Sequence, residues 1–260
     1  MKIQFQKYQG TGNDFIVIDN RELKFNRANN DLVKKLCDRR FGIGADGLIL
    51  LQNKTGYDFE MVYYNSDGNE SSMCGNGGRC IVEFARTLGL VKDKAIFFAI
   101  DGNHEAVVKP GFISLKMKDV KEVEITAPFA LLDTGSPHYV AFVNNVEKFN
   151  VFEEGQKVRN SSRFQEKGVN VNFVEKKYND LFVRTYERGV EDETLSCGTG
   201  VTAAALVAAL RNVSTTQNDC DIQTLGGKLK VKFNKHPDNS FTDVWLEGPA
   251  TYVFGGEVEI

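Results

Sequence analysis

Several features that define other classes of protein are missing from this 260-residue sequence. No apolar run reaches the roughly 18 residues that a membrane-spanning helix requires. The first residues alternate polar and apolar side chains and lack the apolar block of a signal peptide. The formal net charge is only −3, so there is no basic surface typical of nucleic-acid binding. We therefore expect a cytoplasmic protein whose main partner is neither a membrane nor a nucleic acid.

Cysteine and histidine are also scarce, with five and three residues respectively. An odd, scattered set of cysteines without a secretion signal does not predict a disulfide framework. Cys74 and Cys80 are too far apart for the usual spacing of a zinc site, and no histidine lies near them in the sequence. We expect free thiols and no bound metal.

What the sequence does contain is a pair of Cys-Gly-x-Gly motifs, at Cys74–Gly77 and Cys197–Gly200. Each follows a strand-like run and precedes a helix-like run. Cys197 lies 123 residues after Cys74, and the same offset carries Thr11-Gly12-Asn13 onto Thr134-Gly135-Ser136. It also carries Asn65 onto Arg188. One offset that matches at several places indicates an internal repeat.

We therefore predict two copies of one α/β unit, residues 1–120 and 121–249, facing each other across a cleft. Hydrophobic periodicity predicts four helices. The first begins near Asn30, and the second runs from Cys74 to Gly89. The third covers about Glu153–Arg163, and the fourth runs from Val201 to Arg211. The same patterns predict strands at Ile3–Phe5, Phe15–Ile18, Leu48–Leu51, Tyr57–Tyr64, Ile96–Ile100, Glu105–Val108, Ile113–Met117, Ala130–Leu132, Tyr139–Val143, Val171–Val174, Leu181–Tyr186, Leu229–Phe233, Val244–Leu246 and Tyr252–Val258.

The glycines beside each cysteine suggest a specific chemistry. They leave backbone N–H groups accessible at a helix N-terminus, where a carboxylate would bind. The same partial positive charge favours a thiolate over a thiol. Two such termini directed at one carboxylate would place a sulfur on each side of the carbon that bears it. That geometry suits racemisation without a cofactor, although small residues at two helix starts would show the same pattern.

Three further side chains are candidates for this site. His138 directly follows the Gly-Ser-Pro sequence that repeats the Asn13 loop. Glu187 and Arg188 precede a glycine shortly before Cys197, where the end of a strand could direct them inward. Arg188 could then bind a carboxylate and Glu187 an ammonium group. A surface ion pair is the alternative for these two residues.

Together these motifs resemble the diaminopimelate epimerase family. They are Gly-Thr-Gly-Asn-Asp-Phe at residues 10–15, Asn65-Ser66-Asp67-Gly68, Cys74-Gly-Asn-Gly-Gly-Arg-Cys80, Glu187-Arg188-Gly189 and Cys197-Gly-Thr-Gly. The resemblance implies an epimerase that interconverts L,L- and meso-2,6-diaminoheptanedioate without pyridoxal phosphate, on the route to lysine and peptidoglycan precursors. It implies two pseudo-symmetric domains, each a curved mixed sheet around a central helix. The last strand, about 250–260, would return to the first domain, and a homodimer is plausible.

The resemblance also implies roles for individual residues. Cys74 and Cys197 would be the catalytic pair, with Cys197 taking the proton from the L,L substrate and Cys74 donating one. His138 and Glu187 would tune the thiols. Substrate-binding positions would be Asn13, Asn65, Gly75, Asn76, Asn170, Glu187, Arg188, Gly198 and Thr199.

The sequence departs from the family pattern in three places. Ser136 stands where the family often has asparagine, Gly47 stands where some members have glutamine, and the 189–194 loop is one residue longer than the common version. Two alternatives to the epimerase also remain at this point. A proline or hydroxyproline racemase also uses two cysteines in such motifs, although it usually has histidine at the position of Asn76. A non-catalytic amino-acid binding protein could share the scaffold.

Overall fold

The computed structural model describes residues 2–109, 111–213 and 218–260. Its helices are α1 (Asn30–Cys37), α2 (Gly75–Thr87), α3 (Val151–Arg159) and α4 (Gly198–Leu210), with a short 3-10 helix at Val146–Lys148. Its strands are β1 (Lys2–Gly10), β2 (Asn13–Asp19), β3 (Gly47–Gln52), β4 (Phe59–Asn65), β5 (Glu70–Ser71), β6 (Lys94–Ala99), β7 (Gly102–Lys109), β8 (Phe112–Lys116), β9 (Val123–Ile125), β10 (Ala130–Asp133), β11 (Pro137–Phe142), β12 (Asn170–Lys177), β13 (Asp180–Glu187), β14 (Asp192–Thr194), β15 (Asp219–Thr224), β16 (Gly227–Lys235), β17 (Phe241–Gly248) and β18 (Thr251–Glu259).

These elements form two compact units. The first consists of Met1–Leu115 together with Gly248–Ile260, and the second of Lys116–Glu247. The sequence analysis divides the chain at residue 120 and again near residue 250. The predicted mixed α/β class is confirmed, because sheet dominates both units and each contains two α-helices.

The first unit is a mixed sheet around α2. Strands β1 and β2 form a hairpin through the Thr11-Gly12 turn, and β2 pairs in parallel with β3. Both turn residues have positive φ, 51° for Thr11 and 87° for Gly12, as a type I′ hairpin turn requires. Strand β4 pairs with β3 and in parallel with β6, and β6, β7 and β8 continue the sheet. Strand β18 pairs with β1 on the side away from β2.

Helix α2 lies in the core of this unit. All residues from Gly75 to Val82 are buried, and the helix packs against β1, β2, β3, β4 and β7. A separate core cluster under α1 joins Val33 and Leu36 to apolar side chains of β1, β2, β3 and β4. The N-terminus of α2 is therefore held by strands on several sides.

The second unit repeats this arrangement. Strands β10 and β11 form the hairpin, β11 pairs in parallel with β12, and β13 pairs in parallel with β15. Strand β16 pairs with both β15 and β17. Helix α4 packs against β10, β11, β12, β13, β15 and β16. Its residues from Gly200 to Ala209 are all buried, as expected for a helix that is apolar on every face.

The register of the second unit corrects one detail of the repeat. Leu48 lies opposite Tyr64 in the first unit, so a constant offset of 123 would pair Val171 with Glu187. The structure pairs Val171 with Tyr186. The predicted equivalence of Asn65 and Arg188 is therefore wrong by one residue, because Glu187, like Asn65, is the last residue of its strand.

The secondary-structure prediction also needs correction at α3 and at the short strands. Helix α3 ends at Arg159 rather than Arg163, because the N–H groups of Asn160 and Ser161 close its last turn and Ser161 begins a new turn. Strands β5, β9, β14 and β15 were not predicted. In the described part of the chain, no helix is long and apolar enough to cross a membrane.

Candidate active site

Cys74 is the N-cap residue of α2, in an extended conformation with φ −89° and ψ 130°. Its side chain makes no capping hydrogen bond to the helix. The next four residues are Gly75, Asn76, Gly77 and Gly78, so little side-chain bulk covers the first-turn N–H groups. The positive end of the helix dipole therefore lies beside a half-buried thiol.

Two asparagines lie beside this thiol. Cys74 Sγ is 3.7 Å from Asn13 Oδ1, and Asn76 Nδ2 is 3.4 Å from the same oxygen. Asn13 begins β2, directly after the hairpin turn, and Asn76 lies in the first turn of α2. The hairpin thus brings one predicted substrate-binding side chain to the helix that carries the other.

The amide nitrogen of Asn13 is hydrogen-bonded to a group of charged side chains. Asp46 Oδ2 accepts a 2.6 Å hydrogen bond from Asn13 Nδ2, and Arg39 Nη2 lies 2.7 Å from Asp46 Oδ1. Arg39 and Lys7 also bind Asp14, at 2.6 and 2.8 Å. Burial raises the pKa of Asp14, but the hydrogen bonds from Arg39 and Lys7 outweigh it and lower the pKa to about 2. The Asp14 carboxylate is therefore ionised at neutral pH.

Arg79 is a residue of this half-site that sequence reasoning did not single out. It is the largest fully buried side chain among the described residues, with an exposed fraction of 0%. Its guanidinium donates to Asn76 Oδ1 at 2.9 Å and to Thr11 Oγ1 at 3.2 Å. An arginine in a sequence normally indicates an exposed position, so only its place within the Cys74–Cys80 motif could have drawn attention to it.

Cys197 occupies the same position in the second unit. It is the N-cap of α4, with φ −113° and ψ 112°, and it too makes no capping side-chain bond. Its Sγ lies 3.5 Å from Thr199 Oγ1, and Thr134 Oγ1 donates to the Thr199 carbonyl at 2.9 Å. Thr134 belongs to the β10–β11 turn, so hairpin and helix N-terminus are joined here as in the first unit.

His138 lies in β11 and is buried, with 1% of its surface exposed. Asn172 Nδ2 lies 3.1 Å from His138 Nδ1, and Thr185 Oγ1 donates to Asn172 Oδ1 at 2.9 Å. His138 Nε2 has no hydrogen-bond partner among the described residues. Burial lowers the pKa of His138 to about 3, so the ring is neutral at physiological pH.

Gly200 lies between Asn172, the partner of His138, and the thiol of Cys197. A Cβ atom at Gly200 would lie 2.3 Å from Asn172 Oδ1 and 3.3 Å from Cys197 Sγ. Only glycine allows the first turn of α4 to approach Asn172 so closely. Asn172 and Thr185 were not among the predicted site residues, because nothing in the sequence marks an asparagine as a partner of a distant histidine.

Ser136 connects two of the predicted substrate-binding residues. Its Oγ accepts from Asn170 Nδ2 at 2.8 Å and lies 3.5 Å from Arg188 Nη2. Asn170 Oδ1 in turn accepts from the Arg188 backbone N–H at 2.9 Å. Asn170 is buried and the Arg188 side chain is exposed. The buried amide therefore fixes the backbone of a residue whose guanidinium is accessible.

Glu187 is the last residue of β13 and accepts a 2.9 Å hydrogen bond from Thr194 Oγ1. Thr194 belongs to β14, which forms a hairpin with β13. The longer loop before Cys197 is therefore a defined hairpin turn with Gly189 at φ 90° and Glu191 at φ 57°. In the first unit, Asn65 is exposed at the end of β4, opposite Gly47.

The remaining cysteines lie in the core. Burial raises the pKa of Cys80 and of Cys37 to about 12 in each case, and Cys220 is also buried. Across residues 2–109, 111–213 and 218–260, no three His, Cys, Asp or Glu side chains are grouped so that they could hold a metal ion. Cys74 and Cys197, by contrast, lie at helix N-termini.

Comparison with known proteins identifies the family to which these two half-sites belong. The family model for diaminopimelate epimerase matches residues 5–113 and again residues 130–253. The chain belongs to the diaminopimelate epimerase family. The resemblance noted in the sequence is thereby confirmed, and the two matched segments contain Cys74 and Cys197 respectively.

Relatives in the diaminopimelate epimerase family are similar over almost their whole length. A diaminopimelate epimerase of Flavobacterium psychrophilum is 54% identical, over 97% of this chain and 98% of its own. One from Chlorobaculum tepidum is 42% identical, over 96% and 99%. One from Aquifex aeolicus is 38% identical, over 98% of each chain.

Solved structures share the fold at much lower identity. A PhzF-family phenazine biosynthesis protein from Bacillus anthracis superposes with a TM-score of 0.77 at 15% identity, covering 100% of both chains. A hydroxyproline epimerase from Agrobacterium vitis, with bound trans-4-hydroxy-L-proline, gives 0.72 at 14%, covering 99% of this chain and 92% of its own. At such identities the likeness shows the fold alone.

Proposed function

We propose that this protein is a diaminopimelate epimerase that interconverts L,L- and meso-2,6-diaminoheptanedioate by proton transfer between two thiols. The observation that carries the proposal is the repeated position of cysteine. Cys74 caps the buried helix of one unit, and Cys197 caps the buried helix of the other. The names of relatives that cover nearly the whole chain support the substrate.

The reaction begins when a thiolate removes the α-hydrogen of the substrate as a proton. The electrons of the broken C–H bond spread into the adjacent carboxylate, and the thiol on the opposite face then donates its proton to the same carbon. Configuration inverts, and the two sulfurs have exchanged protonation states. The reverse reaction uses the same groups in exchanged roles. Cys197 accepts the proton from the L,L substrate in this proposal, and Cys74 donates.

The helix N-termini are suited to stabilise the carbanion. Backbone N–H groups around Gly75-Asn76 and Gly198-Thr199 would bind the carboxylate where negative charge develops, without reorganising. One such donor is typically worth about 2.7–4 kcal/mol in an enzyme. A thiolate in water is too weak a base for an α-hydrogen, so exclusion of water from bound substrate is part of the proposal.

The other end of a molecule with two amino-acid groups needs its own partners. The exposed guanidinium of Arg188, supported by Asn170, is suited to a carboxylate, and the carboxylate of Glu187 to an ammonium group. Asn13 and Asn65 are proposed as further substrate contacts. His138 and Glu187 are proposed to tune the thiols, His138 as a neutral ring because of its low pKa.

Replacing each cysteine separately tests the proposal. We expect Cys74→Ala and Cys197→Ala each to abolish epimerisation with the fold intact, because one face of the α-carbon then lacks the thiol that must remove or deliver the proton. The measurement is α-hydrogen exchange in heavy water together with separation of the stereoisomers, on protein stripped of any cofactor. Cys80→Ala is the matched control, since Cys80 is a buried thiol on the same helix as Cys74. Full activity in either variant of the catalytic pair would end the proposal.

Two alternatives are less well supported. A proline-type racemase is favoured by distant structural relatives at 13–14% identity, whereas a sequence relative of 54% identity bears the name diaminopimelate epimerase. A binding protein on the same scaffold would not need a thiol at both helix N-termini. Offering proline and diaminopimelate separately distinguishes them, because a binding protein would catalyse no exchange with either.

Location and assembly are also part of the proposal. All five cysteines are free thiols, which suits the reducing cytoplasm. We further propose a homodimer, since the last strand exposes Tyr252, Val253 and Phe254 at 45–52% of their surfaces and exposed apolar patches often mark interfaces. Light scattering on purified protein tests the dimer, and a monomer at micromolar concentration would refute it.

A further inference from the structure

We propose that Arg79 and Asp46 are positioning residues for Cys74, because they fix the orientation of the two carboxamides that lie between them. We call Arg79, Asn76, Asn13 and Asp46 the amide network. The inference rests on the proposed role of Cys74 in proton transfer. It adds two residues that do not touch the reacting carbon and would act only through Asn76 and Asn13.

The amide network is a continuous series of hydrogen bonds within the first unit. Arg79 Nη2 donates to Asn76 Oδ1 at 2.9 Å. Asn76 Nδ2 donates to Asn13 Oδ1 at 3.4 Å, and Asn13 Nδ2 donates to Asp46 Oδ2 at 2.6 Å. Cys74 Sγ lies 3.7 Å from Asn13 Oδ1, beside the middle of the series.

The ends of the network allow only one direction of donation. A guanidinium has no acceptor, and an ionised carboxylate has no donor. Reversing Asn76 would turn its NH2 group toward Arg79, and reversing Asn13 would turn its oxygen toward Asp46. Asp46 Oδ1 accepts from Arg39 Nη2 at 2.7 Å, and Oδ2 is the acceptor for Asn13. The cation at one end and the anion at the other therefore fix the orientation of both carboxamides.

Arg79 is an unusual residue to find at this place. It is fully buried, and in the part of the chain that the structure describes its hydrogen bonds go to no carboxylate. Its remaining contacts are neutral oxygens: Thr11 Oγ1 at 3.2 Å, the Gly75 carbonyl at 3.2 Å and the Pro249 carbonyl at 3.3 Å. A buried charge without an ion-pair partner is costly, which argues for a role beyond packing.

Thr11 adds a second sign of constraint at the same point. It is a β-branched residue at φ 51°, a conformation that such residues rarely adopt. Its hydroxyl accepts from Arg79 and lies 3.4 Å from Asn76 Oδ1. Backbone strain of this kind persists only where surrounding contacts enforce it. The hairpin turn and the buried guanidinium thus hold each other in place.

The orientation of Asn13 has a direct consequence for Cys74. Because Asn13 Nδ2 is committed to Asp46, it is the carbonyl oxygen that faces the sulfur. That oxygen can accept an S–H hydrogen bond but repels a thiolate. The amide network therefore sets the direction in which the hydrogen of a Cys74 thiol points, toward Asn13 Oδ1.

At the matching positions of the second unit, the described residues form no such network. At the offset of 123, Thr202 replaces Arg79, and its hydroxyl donates only to the Gly198 carbonyl at 2.9 Å. Thr199 and Ser136 replace the two asparagines. The two helix N-termini are therefore chemically different, and the amide network distinguishes Cys74 from Cys197.

The exposed end of the network gives the cleanest test. We expect Asp46→Ala to lower kcat/KM at least tenfold, and to speed alkylation of Cys74 by iodoacetamide at pH 7 at least threefold, because Asn13 is released to turn. Asp46→Asn keeps an acceptor for Asn13 and should restore both values to within threefold of wild type. Arg39→Ala removes the neighbouring ion pair without touching Asn13, and should stay within threefold as well.

The buried end provides an independent arm. Arg79→Met should also cost at least tenfold in kcat/KM, whereas Thr202→Val, at the matching place on α4, should not. Since both ends act on the same amides, the double variant Asp46→Ala/Arg79→Met should lose no more than the larger single loss, within threefold. If Arg79→Met does not fold, the Asp46 and Arg39 variants decide the question alone.

Three results would overturn the inference. They are wild-type behaviour of Asp46→Ala, equal losses in Arg39→Ala, or an Asp46→Asn variant that behaves like Asp46→Ala, since charge and not orientation would then be the cause. Wild-type protein without epimerase activity would instead refute the proposed function. The alkylation rates would still report on the network in that case.

Discussion

At the scale of single residues, His138 shows how a neighbour can place a hydrogen on a buried ring. Asn172 Nδ2 donates to the Tyr139 carbonyl at 2.9 Å, and its Oδ1 accepts from Thr185, so the orientation of the amide is fixed. The NH2 group therefore faces His138 Nδ1 at 3.1 Å. Nδ1 must accept, and the neutral ring carries its hydrogen on Nε2.

The low pKa of His138 predicts sensitivity of the fold to acid. The unfolded chain binds a proton here near pH 6.5, whereas the folded protein binds it only near pH 3. Between these values the unfolded state holds more protons, so stability falls as the pH falls, by at most about 1.4 kcal/mol per pH unit. Urea unfolding from pH 7 to pH 4 measures this. His138→Gln should show a shallower decline than wild type, and parallel curves would contradict the assignment.

Residue-level features of the site differ in how far sequence could predict them. Cys74 and Cys197 lie in motifs whose residue types and spacing suggest their chemistry, whereas the roles of Asn13 and Asn76 are implied by the family resemblance. The role of Arg79 is implied by neither, because burial of an arginine depends on acceptors contributed by Thr11 and by a carbonyl far along the chain. Such partners are known only once the fold is known.

At the scale of elements, the first turns of α2 and α4 have similar backbones but differ in how well they would tolerate a side chain in place of glycine. A Cβ atom at Gly77 would lie 3.2 Å from Ile49 Cδ1 and 3.4 Å from Met61 Cε, both flexible side-chain ends. At Gly200 it would lie 2.3 Å from Asn172 Oδ1, an atom held by Thr185. An alanine at position 77 would therefore contact side chains that can move aside, whereas an alanine at position 200 would clash with an atom that is held in place.

We expect Gly200→Ala to destabilise the protein by roughly 1–3 kcal/mol, the usual cost of overpacking. It should also lower activity, since Asn172 would shift away from His138. Gly77→Ala should cost less, because alanine gains about 1 kcal/mol of helix propensity that offsets a small adjustment. Urea unfolding of both variants measures the difference, and equal losses would show that Asn172 yields as readily as the aliphatic chains do.

Elements with a clear period were predictable, and short ones were not. Helices α1, α2 and α4 and the long strands follow their apolar patterns. Strands β5, β9 and β14 have only two or three residues, too few to show a pattern. Strand β15 alternates buried Cys220, Ile222 and Thr224 with more exposed residues, but its aspartates obscure the signal. A one-residue change of register in β13 is likewise invisible to a comparison of spacings.

At the scale of the whole molecule, the first unit is built from both ends of the chain. Strand β18 pairs with β1 from Lys2 opposite Glu259 to Gln9 opposite Thr251. Phe254 packs edge-on against Phe5, and Tyr252 against Tyr8. The carbonyl of Pro249, just before β18, accepts from Arg79. The last residues of the chain thus complete the surroundings of the helix that Cys74 caps.

Truncation should therefore affect the first unit selectively. We expect a chain that ends at Gly248 to lose activity and to become sensitive to proteolysis within residues 2–115, because β1 loses a partner strand and Arg79 an acceptor. Fragments from residues 116–247 should persist longer. Adding a synthetic peptide of residues 249–260 should restore protection in part. Uniform digestion of the truncated chain would contradict this expectation.

The pairing of Lys2 with Glu259 also bears on how the gene could be rearranged. A linker of a few residues would join the two termini into a ring, and the ring could then be opened between Glu247 and Gly248. The resulting circular permutant would contain residues 248–260, 1–115 and 116–247 in that order. Each half of the protein would then be one uninterrupted stretch of polypeptide, as in a tandem duplication before its ends were displaced.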